Sequence, residues 1–226
     1  TGTLTAGEMT WTTLWLGGRE IRITGAGYVP EGEVLEGEEP IDPREDEMVG
    51  LAVQCAALAS RGDVVEDDGR WVARGDPTDA AILAGARKAG WDRGTLLAER
   101  PQVGEVPFSS ERMLLGSFHR EPDGKVTAYV KGAPARVLER CATTLDGRSL
   151  DDDGRRRLLD VNAELAARGL RVLALAAGPV EDMTEEALDS LRFIGFVGMI
   201  DPPAAGVRET VDRFRGAGIR TIILAV

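Results

Sequence analysis

The sequence predicts an α+β protein, an antiparallel sheet flanked by helices and followed by a short α/β tail. Three observations carry this. Short β-rich runs joined by tight-turn dipeptides recur through residues 10–131. Helical periodicities are interspersed among them. Only the last stretch runs strand, helix, strand in the manner of a parallel sheet. With 226 residues the chain can bury a sizeable apolar core without disulfides or a structural metal.

The elements follow in order. Residues 10–16 and 19–24 are β-rich and joined by Gly17-Gly18, which suits a tight primed turn. Residues 30–47 hold nine acids and one base, Arg44, among prolines and glycines, and predict a mobile acidic loop. Met48, Leu51, Ala52, Cys55, Leu58 and Ala59 then share one helical face. Residues 64–73, turning at Asp67-Asp68-Gly69, suggest a second hairpin. Asp76 is placed to cap a helix, with Pro77 at its first position and Asp79 in its positively polarised first turn. Residues 103–108, 114–118 and 126–131 read as strands. Helices begin at Pro134 and near Asp152, the second closing at Gly169. Residues 170–177 form a central strand interrupted by Arg171, which must lie at an edge, be paired or face a cleft, because unpaired burial is costly.

The tail changes character. Residues 193–200 read as a buried strand, and Asp201-Pro202-Pro203 as the start of a helix with Val207, Val211 and Phe214 on one face. Gly216 and Gly218 end that helix, and residues 219–224 read as a further strand, completing a βαβ unit.

Composition excludes several function classes. A net charge of −11 argues against nucleic acid or an anionic membrane surface as the main partner. It does not exclude a polyanionic ligand, since screening confines exposed charges to about 8–10 Å and a few placed cations set the local potential. The one histidine, His119, leaves no material for imidazole metal clusters or Ser/His and Cys/His catalysis, so no metal site is expected. Cys55 and Cys141 read as buried, reduced thiols. No apolar run reaches the ~18–20 residues of a transmembrane helix. The chain begins without Met or a signal pattern, as an excised piece would.

Separated segments resemble the P-type cation-transporting ATPases, most closely their calcium-pump-like branch. Thr1-Gly2-Thr3-Leu4-Thr5 is similar to the phosphorylation signature DKTGTLT without its first two residues. Gly75-Asp76-Pro77-Thr78-Asp79-Ala80-Ala81 resembles GDPTE-x-A, and Pro107-Phe108-Ser109-Ser110-Glu111-Arg112 resembles PF-x-S-x-R. Lys131-Gly132-Ala133-Pro134 matches KGAP, and Arg171 to Ala176 resembles R-x-LALA. Gly198 to Pro203 and Ala217 to Arg220 are similar to GM-x-DPP and AGIR. Each is weak alone; all of them in order span nearly the whole chain.

The resemblance implies three pieces: residues 1–8 and 193–226 from a dehalogenase-like phosphorylation domain, and 9–192 as a nucleotide-binding domain. It implies ATP and Mg²⁺ as ligands, and the phosphorylation, actuator and membrane domains of a parent pump as partners. The parent is expected to be an integral membrane protein with this part on the cytoplasmic side. The fragment itself is expected to be soluble, monomeric and inactive, because the aspartate that would be phosphorylated is absent. In the family, closure carries the γ-phosphate of ATP to that aspartate.

Site roles are implied likewise. Phe108 would stack on adenine, an interaction worth roughly 1–3 kcal/mol, although a core phenylalanine reads the same. Lys131 would approach the ring or the phosphates beside Gly132, whose missing side chain permits close backbone approach; a solvated strand-end lysine is the plainer reading. Arg171 would meet the phosphates or pair with a neighbouring acid. Asp79 would accept from the adenine amino group or merely stabilise its helix. Arg112 offers a fork to a phosphate, or pairs with Glu111 or Glu105. Thr1 and Thr3 would lie near phosphate and Mg²⁺, and Asp201 at a hinge unless it caps the following helix. Met113 stands where the family usually has Lys, so a weak site, on the order of millimolar, is expected. The tail ends Ile223-Leu224-Ala225-Val226 where the family would continue into TGD.

Three rivals remain at this level. A stand-alone dehalogenase-like hydrolase needs a DxD strand that does not precede Thr1. A heavy-metal pump would use a His-Pro pair, and His119 is followed by Arg120. An interaction domain that keeps the fold without nucleotide stays open.

Overall fold

The computed structural model describes residues 4–5, 7–202, 204, 206–220 and 222. Thr1 and Thr3 lie outside them, as do residues 221, 223 and 224 of the expected last strand. β1 (Thr10–Leu16) and β2 (Arg19–Ile23) form the first hairpin, with Leu14 opposite Ile21. Gly17 and Gly18 turn it at φ 55° and 100°, a region that strains most side-chain-bearing residues.

The acidic stretch is not a free loop. Within it β3 (Val34–Glu36) pairs with β2, and β4 (Glu39–Pro40) pairs with β3. Arg19 Nη2 lies 2.8 Å from Glu36 and 2.7 Å from Asp46, tying the stretch down. Charge count alone conceals the cause: β2 would otherwise be an open edge, and Val34 and Leu35 are apolar and buried against it.

α1 (Glu47–Leu58) is capped by Asp46, which accepts from the amides of Met48 and Val49. β5 (Asp63–Asp67) and β6 (Arg70–Arg74) form a separate two-stranded ribbon. α2 (Pro77–Lys88) begins as its sequence dictates, with Asp76 accepting from Thr78 and Asp79. α3 (Arg93–Glu99), capped by Asp92, is too short to announce itself by periodicity. β7 (Gln102–Val106), β8 (Leu114–Arg120) and β9 (Val126–Gly132) form an antiparallel meander. α4 (Pro134–Glu139), β10 (Cys141–Thr143), α5 (Asp152–Ala167), β11 (Arg171–Val180), β12 (Leu191–Ile200) and α6 (Val207–Gly216) complete the chain.

The main sheet has the order β4-β3-β2-β1-β12-β11-β9-β8-β7, with β10 attached to β12. Here the tail reading needs correction. Residues 193–200 belong to the body's sheet, where β12 runs antiparallel to both β1 and β11 and parallel to the short β10; the strand expected after α6 lies partly outside the described residues. An apolar run buried on both faces has the same sequence signature in either setting. Nor does Asp201 start the helix. Residues before proline avoid the helical region, Gly206 precedes α6, and Asp201 Oδ1 instead accepts the Gly7 amide at 3.0 Å.

The sheet is covered on both faces. One apolar cluster joins α1 and α2 to Tyr129, Leu175 and Val197; the other joins α4 and α5 to Val130, Ala174 and Phe196. Alternation along β9 therefore sends Tyr129 and Lys131 toward α1 and α2, and Val130 toward α4 and α5. Gly85 lets α2 approach β1, since a Cβ there would lie 2.5 Å from the Trp11 ring. Cys55 and Cys141 are buried free thiols, pushed up to about 12 by burial.

His119 is fully buried on β8. Its Nδ1–H donates to the Arg100 carbonyl at 2.9 Å, leaving Nε2 to accept the Ser117 hydroxyl at 2.7 Å. Burial pushes its pKa below the usual 6.5. The unfolded chain therefore binds a proton that the folded chain refuses. Stability held by neutral His119 is complete above pH 6.5 and falls, by up to about 1.4 kcal/mol per pH unit, as pH drops toward the folded pKa. An NMR titration of this single imidazole should give a midpoint below 6.5; a midpoint at or above it contradicts the burial argument.

Candidate functional site

One end of the sheet gathers nearly every segment that the sequence marks out. β8 begins and β9 ends there, with Leu114 opposite Gly132 and Gly132 opposite Ala174. Arg171 opens β11 opposite Met199, near the end of β12, and Phe108 lies just past the end of β7. The body's first strand also starts here, Thr10 facing Ile200, so the chain enters and leaves the body at this same end.

Phe108 is 59% exposed, which removes the core-phenylalanine reading. It heads a tight loop in which the Met113 amide bonds Ser109 O at 2.8 Å and the Arg112 amide bonds Ser109 Oγ at 3.2 Å. Met113 takes φ 54°, uncommon outside glycine, and its carbonyl accepts the Ala133 amide at 2.8 Å. This crossing explains Gly132: a Cβ there would lie 2.5 Å from Met113 O and 2.6 Å from Leu114 Cβ. The glycine is thus required by backbone packing whatever else it permits.

Lys131 is not a solvated strand-end cation. It is 7% exposed, pairs with Asp79, and its Nζ lies 2.9 Å from Ser60 Oγ. Desolvation lowers its pKa and the adjacent Asp79 carboxylate opposes the fall. Asp79, 8% exposed in the first turn of α2, also accepts the Arg61 amide through Oδ2 at 2.7 Å. Buried charges persist where they are paired and hydrogen-bonded, and this pair fastens α2 to β9.

The two arginines differ. Arg171 is exposed at the first position of its strand and its side chain has no hydrogen bond or ion pair among the described residues, so the neighbouring-acid alternative is not realised. Arg112 is committed: Nη2 donates to Pro107 O at 2.8 Å and Nη1 lies 3.2 Å from Glu185 Oε2. Neither Glu111 nor Glu105 is its partner; Glu105 accepts from Arg61 at 2.8 Å. Glu185 carries no sequence signal, being 73 residues away. No cluster of metal-holding side chains exists among the described residues. A cleft of about 470 Å³ lies at the other end of the sheet, against Trp15, Gly17, Gly18 and Phe193.

One sheet end of this α+β domain thus presents a protruding aromatic ring, a glycine-floored strand crossing and an exposed arginine. Comparison with known proteins gives the family. The chain belongs to the P-type ATPases, matching their cytoplasmic domain N over residues 49–206. It is 32% identical over 99% of its length to a calcium-transporting ATPase of Bacillus subtilis, covering 26% of that protein. To a probable cation-transporting ATPase F of Mycobacterium tuberculosis it is 36% identical over 97%, covering 25%. To calcium-transporting ATPase type 2C member 1 of Bos taurus it is 34% identical over 97%, covering 22%. The chain thus spans about a quarter of the length of these relatives. No helix among the described residues is long and apolar enough to cross a membrane.

Proposed function

We propose that this chain is the ATP-holding part of a cation-transporting pump and presents the γ-phosphate to an aspartate of the parent's phosphorylation domain. The observation that carries the reading is the exposed Phe108 ring in the loop that crosses at Gly132, at the same sheet end as the buried Lys131–Asp79 pair. Adenine stacks on Phe108. Asp79, oriented by Lys131 and the Arg61 amide, accepts from the adenine amino group with its remaining lone pairs. The missing side chain at Gly132 keeps the crossing low enough for the base to approach.

Arg171, with no competing partner, takes the phosphates. Mg²⁺ would neutralise the polyphosphate charge, with Thr1 and Thr3 beside it in the parent. Residues 1–8 and the tail after β12 join the phosphorylation domain. Because both connections leave from the site's end of the sheet, a hinge there, including Asp201, would swing the nucleotide toward its acceptor. The remaining actuator and membrane domains would convert phosphorylation into ion movement.

A second reading is an interaction domain that keeps this fold without nucleotide. It draws on Met113, which replaces a cation at the site, and on Lys131, whose charge is spent on Asp79. Titration of the chain with ATP, with and without Mg²⁺, decides. Saturable NMR shifts at Phe108, Gly132 and Arg171 are expected at about millimolar ligand. None up to ~10 mM would leave the interaction domain as the better account.

A further inference from the structure

We infer that Glu185 is a positioning residue, holding the Phe108 platform in place through Arg112. This rests on the nucleotide reading above, and the structural part of it does not. The segment 181–189 between β11 and β12 crosses β7 and β8 as a strap. Two glycines make room for it: a Cβ on Gly104 would lie 2.9 Å from Met183 Sδ, and one on Gly116 would lie 2.7 Å from Leu188 Cδ1. Leu188 is fully buried, so this end of the strap is fixed by the core.

Between those anchors Glu185 grips two arginines. Its Oε2 lies 3.2 Å from Arg112, and its Oε1 lies 3.5 Å from Arg140, the residue that ends α4. Arg140 is itself set by Asp189 at 2.7 Å. The strap carboxylate therefore joins the loop before β8 to the helix that follows the Gly132 crossing.

The consequence concerns Phe108. An exposed ring has little packing to hold it, so its position depends on the loop. Arg112 closes that loop by donating to Pro107 O, the carbonyl immediately before the ring residue. A guanidinium is a planar fork, and a carboxylate on one edge sets where the other edge points. Without Glu185 the fork is free to turn to solvent, the Pro107 bond loosens and the ring samples more positions. Binding then has to order what was already ordered. Arg112 accordingly acts through Phe108 and not as a phosphate ligand.

The test compares Glu185→Gln with the parent chain, using adenosine and ATP as separate probes, alongside amide hydrogen exchange over residues 107–113 without ligand. Both ligands should weaken by the same factor, about three- to tenfold, and exchange at 107–113 should accelerate while thermal stability stays close to that of the parent. The double variant Arg112→Gln/Glu185→Gln should lose no more than the worse single one. If Glu185→Gln tightens ATP and leaves adenosine unchanged, Arg112 is a phosphate ligand that Glu185 restrains, and the proposal is overturned. Unchanged exchange overturns it too. If the parent chain binds neither ligand, the nucleotide reading fails, and hydrogen exchange alone still decides whether Glu185 orders the loop.

Discussion

Replacing Lys131 with Met is expected to destabilise the chain by about 3–5 kcal/mol, the cost of removing one partner from a buried ion pair. Asp79 would keep the Arg61 amide on Oδ2 but lose both the charge and the donor on Oδ1, at a position 8% exposed. For a chain of this size the melting temperature should fall on the order of 10 °C. The reverse deletion, Asp79→Asn, should cost less. Burial already lowers the Lys131 pKa, so the amine can shed its proton and keep the Ser60 bond as a neutral group. The double variant Lys131→Met/Asp79→Asn should recover most of the single loss, because no charge is left buried. Denaturant unfolding of the four proteins tests this as one cycle. A Lys131→Met chain within ~1 kcal/mol of the parent would mean that the pair is solvated and that α2 is fastened to β9 by packing alone.

This pair also shows where sequence reading stops. The helix start at Asp76-Pro77, the hairpin at Gly17-Gly18 and the meander before Pro134 are local signals, and they form as written because a cap or turn is decided within a few residues. Lys131 and Asp79 were visible as interesting residues, but their pairing depends on β9 alternation meeting the first turn of α2, 52 positions apart. A single sequence does not carry that register. The same holds for Arg112, whose nearest acids in sequence are not its partner, and for β12, whose apolar run fits a parallel and an antiparallel centre equally. The acidic stretch misled for a different reason: exposed glutamates dominate its composition, while two buried residues, Val34 and Leu35, decide its structure.

Phe108→Ala separates binding from folding. The ring is 59% exposed, so its loss should change stability by no more than about 0.5 kcal/mol. Stacking of a base on an aromatic ring is worth roughly 1–3 kcal/mol, so affinity should drop about 5- to 150-fold. The factor should be equal for adenosine, ADP and ATP, because the ring reads only the base. Arg171→Gln should behave in the opposite way, weakening ATP far more than adenosine, since in the proposed site the exposed guanidinium would meet only the phosphates. Phe108→Trp should restore binding, as any flat ring offers the same face. Calorimetry or NMR titration of these three variants against three ligands gives a pattern that no single measurement does. Equal losses across ligands for Phe108, graded losses for Arg171, and unchanged unfolding midpoints for both would fix the base at one side of the Gly132 crossing and the phosphates toward the start of β11. Should Phe108→Ala bind as well as the parent, the base stacks elsewhere. Should it unfold, the ring is a structural element, and the platform must be sought on another part of this sheet end.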